Sequence, residues 1–397
     1  MTKLRETIYF VLCLLTGLYT LSGCIEDYEA DISSDDSNLL VVEGAICSDQ
    51  LNKFYLSRTQ TINSSAEPQM ETGAVVSVRG TDGTEYKAQE SDGYYACQVG
   101  TLSPNVAYYL HIETAGEVYE SDPQQPLPTE KIAEVKAVQT TPESHIDVLV
   151  TPAEPFNANK LVYYSWTCDE TWEVRPQYIT TIYYDVNLKK PVAKSNLYPA
   201  RGWKNATRSS IMVGSSRNYE GQHIRLLKTY DIDRGDERVY YRYSGLMCQR
   251  AISKAEYEYE LARRQASSEM GGLFTPLPSA LPTNIHCLTS EKHVIGFVGC
   301  SLNTSQYRFF IDPLDYSIDR PVLADTRRWL DNTTTALCLQ MVENGFLLCE
   351  WDDTQHSSTG APIVRSAWAY KYQLDVRLSG AYTEEPDYWS LNENVSY

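Results

Sequence analysis

The chain has no Cys-x-x-Cys pair, no His-Glu-x-x-His, no Gly-x-Ser-x-Gly, no Gly-x-x-x-x-Gly-Lys-Ser/Thr and no Gly-x-Gly-x-x-Gly. These absences exclude, in turn, a thioredoxin-type redox centre or zinc ribbon, a zincin metalloprotease, a serine-hydrolase elbow, a P-loop and a dinucleotide fingerprint. Histidine is scarce: the six are His111, His145, His223, His286, His293 and His356. Basic residues are outnumbered, 34 Lys and Arg against 52 Asp and Glu, for a formal charge of −18. So acidic a surface repels polyanions, which excludes nucleic acid and anionic lipid as partners. Outside the N-terminus there is no apolar run of the ~20 residues a membrane-spanning helix needs.

The N-terminus itself is distinctive. Lys3 and Arg5 precede the apolar run Ile8 to Leu15, and then comes Leu21-Ser22-Gly23-Cys24. A short basic region, a short apolar core and small residues before a cysteine form the pattern of a lipoprotein signal peptide. Residues 1–23 are therefore expected to be removed and Cys24 acylated, leaving a chain held to a membrane by lipid alone. Residues 24–37, acidic and serine-rich, read as an unstructured tether.

Of ten cysteines, Cys13 lies in the signal and Cys24 takes the lipid, which leaves eight in a chain expected to be exported. Cys338 and Cys349 are the candidate disulfide. They flank Glu343-Asn344-Gly345, which reads as an Asn-Gly hairpin between two apolar runs. With a two-residue loop Cys349 would sit opposite Gln340, so the bridge needs a bulge or a register change.

From Leu39 onward, short β-branched and aromatic runs alternate with turn residues. The fold class expected is mostly β. Residues 38–128 read as an Ig-like or transthyretin-like sandwich, Pro123, Pro126 and Pro128 as a stiff linker, and residues 129–397 as a larger β-rich domain. The one helical signal is Ser253-Lys254-Ala255-Glu256, a capping box opening a covering helix to about Ser268, with Tyr257 and Leu261 as its buried stripe and Gly271 and Gly272 ending it.

Several segments in order resemble the Bacteroidota lipoprotein family catalogued as domain of unknown function 4249. They include Leu40-Val41-Val42-Glu43-Gly44, Asp92-Gly93-Tyr94-Tyr95, Tyr164-Ser165-Trp166 with Glu170-Thr171-Trp172, Gly296-Phe297-Val298, Arg308 and Pro386-Asp387-Tyr388-Trp389. The resemblance implies an outer-membrane lipoprotein facing the cell exterior, usually encoded beside a TonB-dependent receptor. It implies no catalytic residues. Where such proteins often carry a close cysteine pair, this chain has Gln373-Leu374-Asp375-Val376, so no role of that pair carries over.

No cofactor and no metal are expected. His286-Cys287 with His293 is too sparse for a metal site. Asp231 to Glu237 lacks calcium-loop spacing. Glu350-Trp351-Asp352-Asp353 sets carboxylates beside a ring, as a glycosidase might, but catalysis needs two carboxyls ~5 to 9.5 Å apart across a cleft, and in so acidic a chain some such cluster is expected by chance. Tyrosine is abundant, 30 residues with seven tryptophans. Neighbouring residues on a strand face opposite sides, so doublets such as Tyr163-Tyr164 and Tyr183-Tyr184 are expected to expose rings. Tyr163, Trp166, Trp172, Tyr183, Tyr184 and Trp351 are the candidate ligand contacts. The expected function is a non-enzymatic surface binding module, an accessory of a TonB-dependent transporter. The alternatives are an adhesive or structural part, or a hydrolase with paired carboxylates, one of raised pKa.

Overall fold

In the computed structural model the described residues are 38–59, 69–155, 160–267, 281–360, 362–391 and 394–396. The signal, the tether and the expected glycine stop at Gly271 and Gly272 lie outside them. The chain is mostly β, as its patterning implies.

The first sandwich has two facing sheets. One runs Val294–Gly296, Leu40–Glu43, Leu51–Arg58, Tyr94–Gln98, Gln89–Ser91, with Gln69–Met70 on the third strand; the other runs Ile285–Cys287, Glu117–Ser121, Tyr108–Thr114, Val75–Gly80, Glu85–Lys87. Alternation does the work. In Leu51–Arg58 the side chains of Asn52, Phe54 and Leu56 point inward and Leu51, Lys53 and Tyr55 outward. Leu40, Val42, Phe54, Val78, Leu110 and Tyr119 fill the core. An edge strand of each sheet comes from residues 285–296, far downstream: Leu40, Val41 and Val42 pair in parallel with Val294, Ile295 and Gly296. The sandwich is thus closed by residues that the sequence places in the second region. The Pro123–Pro128 stretch is likewise pinned, Gln124 bridging to Tyr108 and Leu127 to Ser301.

Near one edge, Arg58 clasps Glu71 through Nε at 2.7 Å and Nη2 at 2.9 Å, and the Thr114 hydroxyl donates to the same carboxylate at 2.6 Å. The arginine's hydrogen bonds hold Glu71 below the usual carboxylate range. A depressed folded pKa contributes stability that is complete above the unfolded value and lost as pH falls toward the folded one. Acid unfolding should therefore begin below about pH 4.5. In Glu71→Gln that part of the slope should flatten, which a series of denaturant melts between pH 3 and 6 checks.

The second sandwich packs a three-stranded sheet (Ile132–Val138, Ile146–Pro152, Leu227–Ile232) on a six-stranded one, ordered Gly202–Thr207, Tyr163–Val174, Tyr243–Ile252, Ser305–Ile311, Val395–Ser396, with Met212–Ser215 on the second strand. A smaller sheet, Arg328–Leu330, Pro362–Tyr370 and Phe346–His356, carries its own core of Cys338, Phe346, Leu348 and Trp368.

Two helices cover these sheets. Helix α1, Lys254–Ser267, starts where the capping box puts it, the Glu256 amide donating to Ser253 Oγ at 3.1 Å. Helix α2, Thr335–Glu343, replaces the expected first arm of a hairpin. The Thr334 hydroxyl accepts from the Leu337 amide as N-cap, and Gly345 takes φ 80° just past the C-cap Asn344. The Asn-Gly pair therefore ends a helix rather than turning two strands, because Ala336, Leu337, Leu339, Gln340 and Met341 are good helix formers with a cap ahead of them. Cys338 consequently sits inside α2 and Cys349 on a strand, and both are free thiols. The Cys338–Cys349 bridge is not formed.

Candidate functional site

Helix α1 lies over the joint between the two sandwiches, and beneath it is a cleft of about 340 Å³. Its walls come from the first sandwich (Glu43, Cys47, Gln50), the six-stranded sheet (Ser165, Thr167, Cys248, Arg250), the helix (Glu256, Tyr259, Glu260, Arg263) and the link to the first sandwich's last strands (Phe297, Thr304). Junctions of this kind are where ligand pockets concentrate.

The helix is tied down by charge. Glu256, 3% exposed, meets Arg250, whose Nη1 donates to Oε2 at 3.2 Å and whose Nη2 donates to Oε1. The capping-box glutamate is thereby diverted from the helix N-terminus to the sheet below. Its carboxylate lies where Gly299 has no side chain, and a Cβ there would collide with it. One turn on, Arg263 binds Glu260 at 2.8 Å and reaches across to Glu43 at 2.9 Å. Burial nevertheless pushes the Glu260 carboxyl up, against the pull of Arg263. Tyr257 and Leu261 pack half-buried against Tyr163, Val213 and Ile252, and Tyr259 is the deeply buried aromatic of the helix; its ring lies 5.8 Å from that of Phe297, and burial raises its hydroxyl to about 12. The Cys47 and Cys248 thiols are also raised by burial, so both stay neutral and weakly nucleophilic.

The expected contact aromatics fare unevenly. Trp166, Trp172 and Tyr184 are buried, and Trp166 donates from Nε1 to Gln249 at 2.8 Å. Both rings of the Tyr163-Tyr164 doublet are covered as well, because both faces of this strand are: Tyr164 belongs to the second core and Tyr163 packs 4.9 Å from Tyr257 of α1. Tyr163 still lines a 750 Å³ groove beside α1. Tyr183 and Trp351 are half-buried at the small sheet. Neither of them, nor any other of the six, reaches the cleft under α1.

Several of the remaining candidates are held in ion pairs. Among the described residues no group of His, Cys, Asp and Glu could hold a metal ion. His286 pairs with Asp122 at 3.1 Å; Asp231, Asp233 and Asp236 pair with Lys228, His145 and Arg238; Glu350 pairs with Arg327. The residues the sequence did not single out for a site, Arg250, Glu260 and Arg263, were hidden because only the tertiary fold brings them to Glu43 and Cys47. The signal that could have found Glu256 was its capping box.

The chain belongs to the family described as a domain of unknown function, DUF4249, which matches residues 25–307. No curated protein matches it. A solved Salmonella alpha-2-macroglobulin variant aligns at 8% identity and a TM-score of 0.17, over 91% of this chain and 22% of that one. The chain thus spans about a fifth of that protein.

Proposed function

We propose that this protein is a lipid-anchored, outward-facing outer-membrane binding module, fixed through Cys24 and working as an accessory of a TonB-dependent receptor. The cleft under α1 is where it takes a ligand. The observation that carries this reading is the cleft's construction at the joint of two sandwiches, with walls of mixed polar and apolar character, an open mouth and side chains locked by Arg250–Glu256 and Glu260–Arg263–Glu43. Pre-organised walls lower the ordering cost of binding. No helix among the described residues is long and apolar enough to cross a membrane.

A second reading, hydrolysis by paired carboxylates, draws on Glu256 and Glu260, one turn apart in one cleft with Glu260 raised. Arginines engage both acids, which favours holding over proton transfer.

The test is recovery of the C-terminally tagged chain from mildly solubilised outer membranes. A TonB-dependent receptor should come with it stoichiometrically, and Cys24→Ala should lose both the membrane fraction and the receptor. Recovery of the chain alone, under detergent that preserves other receptor complexes, overturns the accessory role and brings the hydrolase reading forward.

A further inference from the structure

At the far end of the same six-stranded sheet lies a second depression, of about 450 Å³, lined by Asp169, Thr171, Asn205, Thr207, Leu246, Arg308 and Tyr388 among others. Residues paired across a sheet share a face. Asp169 pairs with Thr207 and with Leu246, Leu246 with Arg308, and Thr171 with Asn205 and Ser244. The register therefore sets Asp169, Thr171, Ser244, Leu246, Arg308, Asn205 and Thr207 on one surface. Over it lies the C-terminal segment. Arg242 holds the carbonyls of Trp389 and Leu391, and Trp389 packs edge-on against Trp203 at 6.1 Å. Between these anchors Tyr388 is laid on Arg308, the guanidinium carbon 3.5 Å from the ring centroid, and its hydroxyl meets Thr171 Oγ1 at 2.9 Å.

Arg308 is 8% exposed, yet among the described residues no carboxylate lies within ion-pair distance of it. Among the described residues its one side-chain hydrogen bond runs from Nη1 to Ser244 Oγ at 3.0 Å. The half-buried Arg208 and Arg250 beside it on this sheet each have a glutamate against them. A guanidinium carries five N–H donors and no acceptor, and a buried cation without a counter-ion is costly. The tyrosine face offsets part of that cost, and Arg308 lines the depression beside it.

The geometry points to a binding site for a small monocarboxylate, its two oxygens seated on the fork of Arg308. The planar fork matches a carboxylate in bidentate fashion. Thr171, Asn205 and Thr207 supply neutral polar groups around the rest of the ligand. Asp169, exposed at the rim and already accepting from Thr207 Oγ1 at 2.7 Å, sets the limit on charge: it disfavours a dianion such as phosphate in the same space. This site is separate from the cleft under α1 and stands whether or not that cleft binds anything.

The test is calorimetric titration of the full chain with lactate, acetate and inorganic phosphate. Lactate and acetate should bind saturably and phosphate at least about tenfold more weakly. Arg308→Lys, which keeps the charge and loses the fork, should weaken lactate about tenfold or more while thermal unfolding stays near wild type. Should that variant fail to fold, Thr171→Val keeps the shape and should still weaken lactate. Asp169→Asn should bring phosphate closer to lactate. Absence of saturable carboxylate binding at tens of millimolar, equal affinity in folded Arg308→Lys, or phosphate binding tighter than lactate would each overturn the assignment.

Discussion

Glu170→Gln should cost about 3–5 kcal/mol of unfolding free energy, the range for breaking a buried ion pair by removing one partner. Glu170 is 1% exposed and accepts four hydrogen bonds. Arg208 gives two to Oε1, from Nε at 3.1 Å and Nη2 at 2.6 Å; Tyr243 adds its hydroxyl at 2.8 Å; Arg238 reaches Oε2 at 2.8 Å. The network continues from Tyr243 to Tyr230 at 2.9 Å and to Cys168 at 3.3 Å, and Arg208 also stacks on Tyr230. Burial drives both tyrosine hydroxyls well above their ordinary range, so they stay neutral: Tyr243 donates to Glu170 and accepts from Tyr230, which accepts from the Cys168 thiol. Glutamine keeps the shape and loses the charge. Arg238 retains Asp236 at 2.6 Å, but among the described residues Arg208 has no second carboxylate within ion-pair distance, so its charge is the one stranded. The check is a denaturant midpoint for the second sandwich. A loss below about 1 kcal/mol would mean that Arg208 is rescued by water, since exposed pairs contribute that little.

Trp166→Ala should cost a similar amount, about 3–5 kcal/mol, by opening a cavity. The indole is 2% exposed and sits 5.8 Å from the ring of Tyr164. Its removal also orphans the Oε1 of Gln249, a fully buried amide whose Nε2 already donates to the Glu130 carbonyl at 2.8 Å. Trp351→Ala, at a half-buried position on an exposed strand, should cost far less. Melting both variants separates two meanings of an aromatic residue. If Trp166→Ala melted like wild type, the indole would be a surface contact after all; a deep loss marks it as core.

That contrast shows what the sequence could and could not carry. Alternation and turn chemistry depend on neighbours a few positions apart, so the hairpin strands between residues 74 and 121 and the start of α1 at Ser253 were legible, whereas the edge strands at 285–296 were not placed in this sandwich. The Asn344-Gly345 pair was not, because its chemistry suits a helix stop as well as a hairpin. The Tyr163-Tyr164 doublet misled for another reason: period-two alternation says that faces differ, not that one of them is wet. Here α1 covers one and a sheet the other. The cleft depended on contacts between Glu256 and Arg250 and between Arg263 and Glu43, the second of which joins residues far apart in the chain. Arg308 and the Pro386–Trp389 motif were each visible, but only the fold stacks Tyr388 on that arginine.

The pairing of Leu40–Glu43 with Val294–Gly296 has a kinetic consequence. The first sandwich to be made is among the last parts to close, because the strands on one edge of each of its sheets are not synthesised until most of the chain exists. Loop closure over such a span is slow, and until it happens two open edges are on offer to any neighbouring strand. Whatever guards the growing chain would have to shield that half-built sandwich until residue 296 is available. A proteolytic cut far from the N-terminus would release its edge strands, so damage at one end of the sequence would be felt as unfolding at the other.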